Sequence, residues 1–382
     1  MNSKLIRITT VPMSLDKLIE GQMKFMASHN FEVVGISSPG DLLEKVGKKE
    51  GVKVKGINMS RKITPIQDLK AVIKLYQFLK KEKPFIVHTH TPKAGVVGML
   101  ASYLAKVPNR LHTVAGLPLL ESTGLKRKVL NAVEKITYNC ATNVYPNSYG
   151  LKNIILDNRF GNKEKLKVIG NGSSNGIDTS YFDPKLFSIK DKQDLKTNLG
   201  IKNTDFVFIF VGRLVSDKGM NELVAAFDKL STENKKVKLL LVGSFEDELD
   251  PLQEKTTNTI INNKQIISVG YQNDVRPYFS VSNCLVFPSY REGFPNVVMQ
   301  SGAMGSPSIV SNINGCNEII ENNINGLVIK VKSINAIYDA MKKIISDKTL
   351  FNKLRLNSRK IIKMKYEREV YWNLLLREYK NL

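Results

Sequence analysis

The stretch "DFVFIFVGRLVSDKGMNELVAAF", Asp205 to Phe227, holds an apolar run rich in Phe, Val and Ile that is closed by Gly212. A short loop with Arg213 and Lys218 follows, and a helix-length segment opens at Gly219. Strand, cationic loop, helix is the reading that fits. Downstream the same rhythm recurs in "VKLLLVG", "QIISVG", "NCLVFPS", "PSIVS" and "GLVIKV". Upstream it has already run once, through "KLIRITT", "FEVVGISS", "VKVKGINM", "PFIVHTH", "NRLHTV" and "TNVYPNS". Short β-rich runs alternating with longer segments predict parallel sheets covered on both faces, so the fold class is α/β with two doubly wound, Rossmann-like sheets.

Between the two series lies "NGSSNGIDTSYFDPKLFSIKD", rich in Gly, Ser and Asp and without periodicity, which reads as a connection. With 382 residues the chain exceeds the ~250–300 at which one core stops growing. We expect a first domain over 1–180 and a second over 181–365. The final helix, 366–382, is expected to pack back on the first domain. Its Val370, Leu374, Leu375 and Tyr379 share a stripe.

Lys and Arg total 57 against 35 Asp and Glu, a net charge of +22, and residues 1–180 hold 28 of the basic and 13 of the acidic side chains. Such a balance suits anionic membrane faces or phosphorylated substrates, and it also serves plain solubility. Nucleic acid is not expected as a partner, because no recognition element and no aromatic–basic interleaving accompanies the charge. Cys140, Cys284 and Cys316 are odd in number and widely spaced, which fits a reduced, cytoplasmic protein. No secretory leader is expected at "MNSKLIRITTVPMSL", and "AGVVGMLASYLA" is too short to cross a bilayer of about 30 Å.

Function in doubly wound sheets sits in the strand-to-helix loops, and two domains of this kind are expected to enclose a cleft. After the strand at 205–212, Gly212 turns the backbone while Arg213 and Lys218 place two cations before a helix start, a plausible diphosphate cradle. The competing reading is two solvated surface residues. Neither a Walker lysine motif nor a GxGxxG fingerprint is present.

After "NCLVFPS" comes "YREGFPNVVMQSGAMGSP", Tyr290 to Pro307, where Glu292 precedes Gly293, Phe294 and Pro295. Pro295 suits a first helical turn, and Glu292 would then stand at a helix N-terminus, either as a ligand-facing acid or merely to satisfy the dipole. Asn296 and Gln300 share a helix face, while Val297, Val298 and Met304 look like packing positions. In the first domain His88 and His90 end a strand and His112 ends another. A third ligand of metal-like spacing is lacking, so no metal is expected; the histidines are either structural or, for His112 above all, hydrogen-bond donors to substrate.

With "GRLVSDKG", "REGFPNVVMQSGAMGSPSIVSNINGCNEII", "NGID", "HTHTPKAGVVG", "HTVAGLP" and "VYPNSYGL" together, the chain resembles the GT-B retaining glycosyltransferases of family four over its whole length. Bacterial enzymes that build capsule, O-antigen or other glycans on polyprenyl diphosphate lipids look most alike. The resemblance implies that Arg213 and Lys218 bind the donor diphosphate and that Glu292, first acid of a Glu-(seven residues)-Glu motif, contacts sugar hydroxyls, with His112 steadying the sugar. It further implies donor contacts from Gly212, Gly270, Gly293, Phe294, Pro295, Asn296, Val297 and Gln300. Two departures stand out. The second acid of the motif is Gln300, and the loop after the first strand reads "TTVPMSL" where many relatives are glycine-rich.

What the resemblance implies is a metal-independent, cofactor-free retaining transferase. It would move a sugar from a nucleotide diphosphate donor, a UDP-sugar above all, to a glycan acceptor on a lipid at the inner membrane face. The basic "GLKRKVL", Gly124 to Leu130, is expected to touch anionic lipid there. The alternative prompted by Gln300 is a sugar-nucleotide-binding protein without turnover.

Overall fold

A computed structural model of the 382-residue chain describes residues 3–117, 119, 122–246 and 250–382. Pro118 of "HTVAGLP" lies outside the described residues. The chain divides into two compact units, Met1–Gly176 with Glu369–Leu382, and Ile177–Arg368.

The first unit carries six parallel strands: β1 (Ser3–Ile8), β2 (Phe31–Ser37), β3 (Lys53–Gly56), β4 (Ile86–Thr89), β5 (Asn109–Val114) and β6 (Asn143–Pro146). Their order is β3-β2-β1-β4-β5-β6. Register is fixed by pairs such as Leu5 opposite Val33 and Leu5 opposite Ile86. Ile6 and Ile8 feed one core and Leu5 the other, as alternate side chains of a strand buried on both faces must.

The final helix, Arg368–Lys380, belongs to the second of those cores through Tyr371, Leu375, Leu376 and Tyr379. The expected stripe is therefore turned: Val370 is exposed and Leu374 only partly covered, while Tyr371 and Leu376 go inside. The reason is polar as well as apolar. The Tyr379 hydroxyl accepts from Arg7 Nη1 at 2.9 Å and lies 2.5 Å from His88 Nδ1, so the helix is rotated to satisfy a guanidinium buried in the sheet.

The second unit repeats the plan with β7 (Phe206–Val211), β8 (Val237–Val242), β9 (Ile266–Ser268), β10 (Cys284–Phe287), β11 (Ser308–Ser311) and β12 (Gly326–Ile329). Its order, β12-β11-β10-β7-β8-β9, is the same arrangement as in the first unit. Val207, Phe208, Ile209 and Phe210 are all fully buried. At about 1.5–3 kcal/mol for each large apolar side chain, this central strand anchors the core. The consequence for function is positional. Chain order reverses between β7 and β10, and ligands of such sheets gather at the carboxyl ends on either side of that point. Among the described residues no helix is long and apolar enough to cross a membrane.

Candidate functional site

The loops after β7 and β10 are in contact. Gly219, at φ +71°, ends the loop after β7 and begins the helix Met220–Glu233; a Cβ there would stand 2.2 Å from the carbonyl oxygen of Pro288. Only glycine lets the two loops approach so closely. The Tyr290 amide then donates to the Asp217 carbonyl at 2.9 Å.

Across this contact Lys218 Nζ donates to Glu292 Oε1 at 2.5 Å, with the lysine side chain 17% and the glutamate 16% exposed. The ammonium also lies 5.7 Å from the centre of the Phe287 ring. Arg213 leaves the same loop but pairs with Glu246, beyond the end of β8. Sequence reading brought Lys218 and Glu292 together; Arg213 it placed on the right loop without its partner.

Further charges surround the pair. Arg291 Nη2 donates to Asp217 Oδ2 at 2.6 Å, and Asp217 Oδ1 is buried with no hydrogen-bond partner among the described residues. Burial pushes the Asp217 carboxyl above its usual range, with Lys218 pulling the other way. The Tyr290 hydroxyl donates to Glu222 at 2.7 Å, and Lys332 sits 4.6 Å over the Tyr290 ring. The Asn314 side chain donates to the backbone carbonyls of Glu292 and, at 3.4 Å, Gly293, holding that loop from the β11 side. None of Glu246, Asp217, Glu222 or Asn314 was singled out from sequence. The signal available was only their place after strand-ending residues, as in "VGSFEDELD".

Glu292 does not serve the following helix. That helix is Asn296–Ala303, its N-cap is Pro295, no side chain caps it, and no acid occupies its first turn. Pro295 is thus one residue earlier than the first-turn position expected. Phe294 is buried with its ring 5.5 Å from Tyr366, and Val298 and Met304 pack inside. Asn296 is exposed, whereas Gly293, Val297 and Gln300 are half-buried. Gly212, at φ +149°, follows β7, and Gly270, which follows β9 with β7 and β8 between it and β10, accepts at 2.8 Å from Gly243.

In the first unit His88 lies in β4, His90 just past it and His112 in β5 two residues before its end, all buried. His88 and His90 belong to the structural network: His90 Nε2 accepts from Arg7 Nε at 2.9 Å, and His88 Nε2 meets Thr113 Oγ1 at 2.7 Å. Burial, with Arg7 nearby, drives both imidazoles well below their ordinary pKa. His112 Nδ1 is 2.7 Å from Thr89 Oγ1, and burial lowers it to about 4, so the ring is neutral at pH 7. Its Nε2 has no protein hydrogen-bond partner among the described residues. A groove free of side chain at Gly95, where a Cβ would lie 2.5 Å from His112 Cε1, admits the ring.

Arg213 and Lys218 stand on one loop before a fourteen-residue helix whose first N–H groups lack intrahelical partners, each cation paired with an acid from a neighbouring loop. The fold and this site define a group 1 glycosyltransferase, and the chain belongs to that family, GT4, with the GT-B fold. Residues 191–361 match the family described as Glycosyl transferases group 1, and residues 17–148 match Glycosyl transferase 4-like.

Among particular proteins, the chain is 33% identical over 374 residues to the capsular polysaccharide biosynthesis glycosyltransferase CapM of Staphylococcus aureus, covering 98% of this chain and 96% of CapM. It is 34% identical over 300 residues to the UDP-Gal:alpha-D-GlcNAc-diphosphoundecaprenol alpha-1,3-galactosyltransferase of Escherichia coli, covering 76% and 74% of the two chains. Among solved structures, Anabaena Alr3699/HepE in complex with UDP and glucose superposes with a TM-score of 0.81 at 17% identity over 100% of both chains, a likeness of fold.

Proposed function

We propose that the protein is a retaining, metal-independent glycosyltransferase that moves a sugar from a UDP-sugar to a lipid-linked glycan acceptor. The observation that carries the reading is the meeting of Lys218 with Glu292 across the β7 and β10 loops, with Arg213 beside it. The nucleotide bound by HepE and the undecaprenol-linked acceptor of the E. coli relative support the two substrate classes.

In this scheme the bond between the anomeric carbon and the β-phosphate oxygen breaks, and the acceptor oxygen bonds that carbon on the same face. The acceptor proton passes to the departing phosphate, so UDP leaves and no protein nucleophile is needed. Arg213 and Lys218 offset the charge that builds on the diphosphate, where preorganised cations act most strongly. Glu292 orients sugar hydroxyls, Gly293 to Pro295 present backbone, and Asn296, Val297 and Gln300 line the nucleotide side. In the first unit, His112 offers Nε2 to a substrate hydroxyl.

Gln300 favours a second reading, a weak or silent enzyme that still holds the nucleotide. A carboxylate accepts from both ribose hydroxyls, whereas an amide supplies one acceptor and one donor. The test is donor binding and transfer by the wild type and Gln300→Glu. Gln300→Glu is expected to tighten UDP binding roughly five- to thirtyfold, since charged hydrogen bonds exceed neutral ones by about 1–2 kcal/mol. A wild type that transfers to no supplied acceptor, while Gln300→Glu does, selects the second reading; unchanged UDP affinity removes Gln300 from the ribose.

A further inference from the structure

Arg7 is a guanidinium buried among neutral groups. The side chain is 0% exposed inside the first sheet, and its hydrogen bonds run from Nε to His90 Nε2 at 2.9 Å, from Nη1 to the Tyr379 hydroxyl at 2.9 Å and from Nη2 to Gln22 Oε1 at 2.6 Å. The first of these fixes the tautomer of His90. A neutral imidazole carries one hydrogen, and Nε2 is the bare nitrogen because it accepts from Arg7, so Nδ1 carries the hydrogen. That N–H is buried in a residue 3% exposed, and it has no hydrogen-bond partner among the described residues.

A second unpartnered atom stands on the same face of the sheet. Side chains alternate along a strand, so His88 and His90 share a face, as do Tyr145 and Asn147, and His88 joins the two by meeting Thr113 Oγ1 at 2.7 Å and the Tyr145 ring at 5.7 Å between centres. Asn147, just past β6, is 5% exposed; its Nδ2 faces the Ala115 carbonyl and Ser174 Oγ, each at 3.5 Å, while Oδ1 is buried with no partner among the described residues. Between His90 and Asn147 comes the end of β5, where the chain carries only Ala115 and Gly116. Neighbouring strands lie about 4.8 Å apart, so the two side chains bracket a gap of about 10 Å floored by small residues. A donor and an acceptor, both buried and both bare, call for a ligand there.

We infer that this edge is a saccharide subsite taken by the acceptor glycan, with His90 Nδ1–H donating to one sugar hydroxyl and Asn147 Oδ1 accepting from another. Polarity decides the ligand class. A phosphate brings no hydrogen for Asn147 and a cation meets the hydrogen of His90, whereas a hydroxyl both donates and accepts. Arg7 gains a role in this: by donating into Nε2 it holds the ring in one tautomer and polarises the outward N–H, since chained hydrogen bonds strengthen one another. The acceptor is assigned rather than the donor because the paired cations proposed for the donor diphosphate belong to the second unit. The inference rests on the proposed function and deepens it, giving the acceptor two named contacts. Sequence reading left His90 open between structure and substrate, and Asn147 passed without notice inside "VYPNSYGL".

The test is titration of the whole chain, with and without UDP, by the methyl α-glycosides of glucose, galactose, N-acetylglucosamine and N-acetylgalactosamine, followed by saturation-transfer NMR. Wild type is compared with His90→Gln, His90→Asn and Asn147→Leu, and UDP affinity and melting temperature are measured in parallel. The two His90 variants separate the ring nitrogens: a glutamine amide reaches as far as Nε2 and keeps an acceptor for Arg7, whereas an asparagine amide reaches only as far as Nδ1 and keeps the donor. At least one glycoside should bind wild type. His90→Gln and Asn147→Leu should each weaken it about three- to tenfold, the range of one lost hydrogen bond, with UDP affinity unchanged. His90→Asn should keep most of the glycoside affinity and lower the melting temperature instead, because it strands Arg7.

Four outcomes overturn the inference: no glycoside binding by wild type; glycoside affinity that ignores both His90→Gln and Asn147→Leu, which leaves the two atoms to bound water; the reverse order of the His90 variants, with His90→Gln silent and His90→Asn damaging in every readout, which makes the ring purely structural; or displacement of the glycoside when UDP is exchanged for the UDP-sugar of the same sugar, which assigns the gap to the donor. Glycoside binding without UDP binding sinks the donor reading and leaves the subsite standing; UDP binding without glycoside binding does the reverse.

Discussion

Lys218 and Glu292 neutralise each other at 2.5 Å, and Arg213 is neutralised by Glu246, so a diphosphate arriving at either cation replaces one anion with another. Lys218→Ala with Arg213→Ala removes two charge-assisted hydrogen bonds of about 1.5–3 kcal/mol each, and turnover is expected to fall roughly 10²- to 10⁴-fold in a transfer assay. Glu246→Gln acts oppositely. It frees Arg213 from a half-exposed pair of the kind worth about 0–1 kcal/mol, so UDP affinity should rise up to about fivefold by calorimetry, and the gain should disappear when Arg213 is already Ala. A Glu246→Gln variant that binds UDP more weakly would make Glu246 part of the ligand site. Glu246 escaped the sequence reading for a physical reason. Which acid faces Arg213 depends on β8 lying beside β7, and a strand order is not written in the spacing of one loop.

At the scale of elements, all twelve strands fall within the β-rich runs read from the sequence; the central ones are buried on both faces and read as near-continuous Val, Ile, Leu and Phe, whereas the edge strand β3, Lys53–Gly56, is largely exposed and alternates lysine with valine. Helix faces were less legible. The last helix buries Tyr371 and Leu376 in place of Val370, since its orientation is set by Tyr379 reaching Arg7 and His88, partners nearly three hundred or more positions away. Tyr379→Phe keeps the ring and deletes the hydroxyl. It leaves a buried guanidinium N–H and an imidazole without their partner, and should cost about 2 kcal/mol of stability by denaturant unfolding. A loss near zero would mean that the network is not what seats the helix.

For the whole molecule, the buried imidazoles set how stability follows pH. His88, His90 and His112 have folded pKa values below the unfolded 6.5, that of His112 about 4, so the unfolded chain binds more protons as pH falls from 6.5 and stability is lost with acidification. His112 alone accounts for about 2 kcal/mol between pH 6.5 and 5. Glu134 runs the other way. Burial raises its carboxyl to about 7, against the Tyr138 hydroxyl, so the fold favours its protonated form and gains as pH drops from 7 to 4.5. Three groups outweigh one, and unfolding at pH 5 should occur at lower denaturant than at pH 7.5, more steeply in Glu134→Gln; equal midpoints would show the imidazoles charged within the fold. The donor assignment meets its most direct test in calorimetric titration of UDP into wild type and into Arg213→Ala/Lys218→Ala. Saturable binding by wild type, weakened at least about a hundredfold in the double variant at unchanged melting temperature, is the predicted result, and equal affinity of the two proteins would contradict it.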